Sequence, residues 1–308
     1  MHQDRKPFAI KKFMVVGREA EEKLLEEKAI ADLNHRNIVD LIAVYAEPGS
    51  IERVLVLDFL EGETLIQYVD NQGPADEKLA RDICRQMVAG MAHMHEKGIL
   101  HRDFNGANIL IDSHKEHKVT IIDFGLCEIF PVPGVAFHVE NVTGGGMPGF
   151  RPPEMVSEPP DTHSYSLDIW ALGANLWLLM TGERTFTRGR EPPASPEDKS
   201  GWSMENRITY AYTRLSEDLK TLLKELLHSD KFQRPNIHTV EHCKWLGGDG
   251  RISRKIEKDH VDSHVLLGSL TCPQGKGHSR TGGPITSTVF EYATWSYILM
   301  DWVQGDLL

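Results

Sequence analysis

The sequence predicts an α+β fold in two lobes, a small β-rich one followed by a larger, mainly α-helical one, and three observations predict it. An alternating run opens the chain at Pro7 to Phe13, and a β-branched and leucine run bounded by turn-formers follows at Arg53 to Phe59. Beyond them, Leu79 to Lys97 repeats as a long amphipathic helix, and Ser166 to Met180 is apolar nearly all round, as a helix in the centre of a lobe must be. Strands early and helices late place the β-rich lobe first.

Taken in order, Arg18 to Leu33 carries helical spacing with a heavy load of glutamate. After Phe59, Glu61-Gly62-Glu63 breaks the strand pattern and can connect the lobes. Two short apolar runs, Asn108 to Ile111 and Val119 to Ile122, flank the polar segment Asp112 to Lys118 like the arms of a hairpin. Arg188 to Ser203 is a loop by composition, and Ser216 to His228 resumes as a helix. Gly247 to Pro284 is polar and without period, whereas Thr288 to Leu308 gathers apolar and aromatic residues and is expected to form one helix at the end of a disordered tail. No internal repeat is visible.

With 308 residues, 40% of them apolar, the chain can bury a sizeable core. Its net charge of -11, from 45 acidic against 34 basic residues, argues against nucleic acid and against an anionic membrane surface as partners. Cys84, Cys127, Cys243 and Cys272 are scattered without C-x-x-C spacing, so reduced thiols are expected rather than a zinc site. No apolar run follows the charged start and none elsewhere is long enough to span a bilayer, which leads to the expectation of a soluble cytoplasmic or nuclear protein. Oligomeric state leaves no trace in the sequence.

The strongest chemical signal is Ile99 to Leu110, I-L-H-R-D-F-N-G-A-N-I-L, with Ile121-Ile122-Asp123-Phe124-Gly125 placing a second aspartate twenty positions after Asp103. Ahead of both, Phe8-Ala9-Ile10-Lys11 lies on a strand, where Ala9 and Lys11 share a face and Lys12 points the other way. Taken alone, the tetrapeptide favours Lys11 as one of two surface lysines on an edge strand. Glu26, Ile30 and Leu33 fall at i, i+4 and i+7, which sets one carboxylate on an apolar helix face; Glu22 and Glu27 remain alternatives on the solvated face.

These segments resemble the protein kinase family. Its pattern of H-R-D, an Asn five residues after the Asp, and D-F-G matches His101, Arg102, Asp103, Asn108, Asp123, Phe124 and Gly125. Gly149 to Glu154 (G-F-R-P-P-E) resembles the end of the family's activation segment in its serine/threonine form. Asp168-Ile169-Trp170-Ala171-Leu172-Gly173 resembles its buried helix, and Arg234 the arginine that pairs with Glu154.

The resemblance implies a two-lobed protein kinase-like fold over residues 1–246, with an N-lobe 1–57, a hinge 58–62, a C-lobe 63–246 and a tail 247–308 of unknown role. It implies ATP and Mg2+ as cofactors and a protein as substrate. Asp103 would act as base or hydroxyl-orienting group, Lys11 with Glu26 would hold the α- and β-phosphates, and Asn108 and Asp123 would bind the metal. Asp58 to Leu60 would hydrogen-bond adenine, sandwiched between Ala9 and Leu110. Ile30, Leu41, His101 and Phe124 would stack between the lobes, with Asp168 fixing His101. Thr143, the only hydroxyl side chain between Gly125 and Glu154, stands where the family carries an activating phosphate that Arg102 could clamp; a plain loop threonine is the alternative.

Three positions depart from the pattern. No glycine precedes Lys11, so the G-x-G-x-x-G loop over the phosphates and its two strands are expected to be missing, leaving a truncated N-lobe. Asn105 stands where serine/threonine kinases carry a lysine, and Met147 where they carry a threonine. Losing the lysine charge should slow transfer about 10²-fold or more. A protein-binding scaffold is therefore the alternative function, and a small-molecule kinase a third. Cys127 reads as an idle buried thiol, and His114 with His117 as a solvated turn.

Overall fold

The computed structural model describes residues 7–15, 20–47, 50–130, 146–155, 164–185 and 215–248, with the backbone of 286–292 and 295–301. Three strands begin the small lobe: β1 (Pro7–Met14), β2 (Leu41–Tyr45) and β3 (Glu52–Asp58). β3 lies between the other two, antiparallel to both, and α1 (Ala20–Asp32) buries Ala29 and Ile30 in the core beneath them. Along β1 the alternation that announced a strand places Ala9, Lys11 and Phe13 on the buried side and leaves Lys12 exposed.

The tail departs from expectation. Instead of one helix over Thr288 to Leu308, the backbone forms β9 (Thr286–Tyr292) and β10 (Trp295–Asp301), an antiparallel pair whose second strand adds to the outer edge of β1. The small-lobe sheet is therefore five-stranded, in the order β2-β3-β1-β10-β9. Thr, Val, Phe and Tyr dominate β9, and Trp, Tyr and Ile occur in β10, residues that favour a pleated surface; richness in apolar and aromatic side chains does not by itself distinguish helix from strand.

Beyond Asp58 the chain enters the large lobe. Gly62, at φ 126, lies so close to the next layer that a Cβ there would stand 2.5 Å from the carbonyl oxygen of Ile111, a contact no side chain tolerates. β4 (Glu63–Thr64) leads into α2 (Leu65–Gln72) through a capping box: Thr64 Oγ1 accepts from the Gln67 amide and Gln67 Oε1 from the Thr64 amide. Asp76 caps α3 (Glu77–Glu96) at 2.8 Å, which starts this helix two residues before its first apolar repeat. β5 (Ile99–Leu100), β6 (Ile109–Asp112), β7 (Lys118–Ile121) and β8 (Glu128–Ile129) follow; β4-β6-β7 make one small sheet and β5-β8 another.

α4 (Ser166–Thr181) is buried continuously from Leu167 to Leu179, with Trp170 and Trp177 wholly inside. Its all-round apolar sequence has this cause: α2, α3 and α5 (Glu217–Leu226) surround it. Ser216 caps α5, and the short α6 (Ile237–Glu241) packs on α3. The loop expected over Arg188 to Ser203 lies outside the described residues.

Buried Asn37, between α1 and β2, ties the lobes together. It donates from Nδ2 to Val119 O at 2.7 Å, and its own carbonyl accepts from Ile121 N at 2.8 Å. Gly90 of α3 permits that approach, since a Cβ would lie 2.5 Å from Ile121 Cδ1.

Candidate active site

Lys11 is the buried cation of the cleft. Its Nζ donates to Glu26 Oε1 and, at 3.1 Å, to Asp123 Oδ1, so β1, α1 and the segment after β7 meet at one ammonium. Taking such ions out of water costs several kcal/mol each, which only close pairing offsets. Glu26 is fully buried, as its place on the apolar side of α1 requires.

Asp103 lies in the loop between β5 and β6. Its Oδ1 accepts from Asn105 Nδ2 at 2.7 Å and from the Met147 amide at 3.1 Å, and its Oδ2 accepts from Asn108 Nδ2 at 3.0 Å. Below this loop stands the first turn of α4. Asp168 accepts from the amides of His101 (2.9 Å) and Arg102 (3.0 Å) and meets His95 Nε2 at 3.0 Å, while Asn175 donates to Phe104 O at 2.9 Å. Two non-glycine residues here have left-handed backbones, Arg102 (φ 65) and Asp123 (φ 61). Such conformations persist only where the surroundings over-determine them.

The donor set fits a hard cation. Both amide hydrogens of Asn108 go to Asp103, one to its carboxylate and one to its carbonyl at 2.9 Å, which leaves Oδ1 for a metal. Asp123 Oδ1 takes Lys11 and the Gly125 amide (3.1 Å), which leaves Oδ2. Two oxygen ligands with the remainder from phosphate and water is the usual magnesium arrangement, and among the described residues no cluster of three His, Cys, Asp or Glu competes for a metal.

Phe124 is fully buried and tilts against His101 with ring centroids 5.0 Å apart; Ile30 and Leu41 belong to the same core. Asp58, at the end of β3, donates its amide to Asp40 O at 3.0 Å, so a hinge donor for a purine would have to come from Phe59 or Leu60. Ala9 is buried on β1 and Leu110 half-buried on β6.

Arg102 already has a carboxylate partner, Glu128 of β8, at 3.0 Å, both side chains being largely buried. Thr143 lies outside the described residues. The end of the activation-like segment is clamped: Arg234 meets Glu154 through two bonds of 2.6 and 2.8 Å and stacks on Trp170 at 4.9 Å. Beside Asp103, a small pocket is lined by Asn105, Met147, Phe150 and Arg151 among others. Burial pushes the Cys127 thiol up to about 12, which leaves it idle.

The Met147 amide and the Glu128 partner of Arg102 have no signal in the sequence, because the first is a backbone group and the second is brought close only by the β5-β8 pairing.

The family model described as protein kinase domain matches residues 1–246. This chain belongs to the protein kinase family. Among curated relatives, the chain is 33% identical over 257 residues to the probable serine/threonine-protein kinase zyg-1 of Caenorhabditis briggsae, covering 81% of this chain and 34% of that protein. It is 27% identical over 214 residues to the hormonally up-regulated neu tumor-associated kinase of Mus musculus, covering 70% and 28% respectively. Calcium/calmodulin-dependent protein kinase type 1B of Rattus norvegicus is 27% identical over 267 residues, covering 80% and 71%. The chain thus spans about a third of the first two relatives, and among its described residues no helix is long and apolar enough to cross a membrane.

Proposed function

We propose that this kinase domain transfers the γ-phosphate of ATP to serine or threonine hydroxyls of a protein. The observation that carries this reading is the convergence of Lys11, Glu26 and Asp123 on one side of the cleft with Asp103 and Asn108 on the other. Lys11, held by Glu26, would bind the α- and β-phosphates. Asp103, fixed by three donors, would orient the attacking hydroxyl and take its proton. Asn108 Oδ1 and Asp123 Oδ2 would hold Mg2+, which supplies neutralisation of charge between the β- and γ-phosphates. Adenine would lie between Ala9 and Leu110 against the Asp58 to Leu60 backbone. Residues 1–57, 58–62 and 63–246 serve as N-lobe, hinge and C-lobe in this reading.

The name of the zyg-1 relative and the Gly149 to Glu154 segment support serine/threonine specificity. Incubation with γ-labelled ATP, Mg2+ and a degenerate peptide library tests it: label on serine and threonine is expected, and label confined to tyrosine or to free metabolites would overturn it. Asn105, a neutral amide near the site of transfer, favours a second reading as a protein-binding scaffold of low catalytic power.

A further inference from the structure

We infer that the C-terminal segment 286–301 caps the small lobe by strand addition, completing its sheet at the outer edge of β1 and roofing the Lys11 end of the cleft. β1 has two edges. One is filled by β3, from Phe8↔Asp58 to Met14↔Glu52, and the other receives β10, from Pro7↔Asp301 to Ile10↔Ile298. Without β10 the backbone donors and acceptors along that second edge would have no strand partner, the arrangement that invites addition of a further strand.

Direction settles where the cap reaches. β10 runs antiparallel to β1, so residues before Ile298 continue past Ile10 toward Lys11 and beyond. Three residues from Ile298 back to Trp295 carry the strand about 10 Å at the usual rise. The end at which β9 hands over to β10 is therefore directed toward the Lys11 end of β1, the phosphate side of the proposed nucleotide site. β9 pairs with β10 along its whole length, Tyr292↔Trp295 to Thr286↔Asp301, so the cap is a hairpin that docks on β1 through one edge of β10.

The hairpin pairs with β1 over Pro7 to Ile10 alone, whereas β3 holds β1 from Phe8 to Met14. It is held to the rest of the sheet by this one ladder and can leave without unmaking the β2-β3-β1 part. Residues 249–285 link it to the large lobe, so rebinding is intramolecular. The roofing role rests on the ATP reading; the strand addition does not.

Hydrogen exchange on the full chain tests both. Ile298→Pro and Leu299→Pro remove adjacent amides from an interior strand, and neighbouring amides face opposite strands, so one of the two substitutions breaks the β1 ladder. Expected are at least tenfold faster exchange over residues 7–10 in one variant, unchanged exchange over 77–96, and severalfold faster dissociation of a non-hydrolysable ATP analogue with Mg2+. Equal protection of residues 7–10 in both variants and the parent overturns the strand addition. Protection that appears only with rising concentration, alongside a dimer mass, overturns the intramolecular form. Lost protection with no analogue bound by any of the proteins supports the strand addition and overturns the ATP reading. Analogue dissociation that is equally fast despite lost protection overturns the roofing role.

Discussion

Asn105 donates from its side-chain amide to the Asp103 carboxylate at 2.7 Å, and its own Oδ1 accepts from the Ala107 amide at 2.8 Å. The amide thereby positions the proposed base but brings no positive charge to the transferred phosphate. Asn105→Lys should raise the rate of transfer about 10-fold or more, with little change in KM for ATP, because a charge near the transition state is worth that much or more. Asn105→Ala should lower kcat by loosening Asp103. Steady-state kinetics on one peptide substrate checks both.

Lys11 and Glu26 are both buried, and Lys11 also meets Asp123. Lys11→Met takes the ammonium away from two carboxylates at once and should cost about 3 kcal/mol or more in urea denaturation. The double variant Lys11→Met/Glu26→Gln should lose less than the sum of the singles, since both changes remove the same Lys11–Glu26 ion pair.

Arg234 holds Glu154 with two bonds and sits over the Trp170 ring. A lysine offers neither the fork nor the plane. Arg234→Lys should therefore cost about 3 kcal/mol by thermal or urea unfolding, despite the conserved charge, and should speed proteolysis near Glu154.

Glu77 gives a pH signature. Burial raises its carboxyl, but hydrogen bonds from Ser216 and Trp245 and the nearby Arg81 outweigh that and hold it below the usual 4.5. A carboxylate depressed in the folded state contributes stability above its unfolded pKa and loses it as pH falls through the folded one. The stability gap between the parent and Glu77→Gln should be constant from about pH 6 to 8 and shrink below 4.5. Urea midpoints measured across that range would show it.

Much of this architecture was legible because its chemistry occupies short stretches. His101 to Asn108 and Asp123 to Gly125 announce themselves by residue type and order, and Glu26 by an apolar helix face that only a buried cation could satisfy. Lys12, one residue from Lys11, was separable by strand alternation and lies exposed. What stayed hidden depends on contacts between distant segments. The Met147 amide reaches Asp103 through the folding of a loop, and Glu128 reaches Arg102 because β8 pairs with β5. The terminal hairpin was misread as a helix because its strand character becomes visible only beside the edge it joins.

Transfer of γ-phosphate by the intact chain, compared with Asp103→Asn of equal fold by circular dichroism, is the most direct test. Loss of about 10²-fold or more in the variant is the expected result, because the carboxylate that takes the hydroxyl proton is gone. Equal incorporation by the two proteins would contradict the phosphotransfer reading and leave a kinase fold that serves as a scaffold.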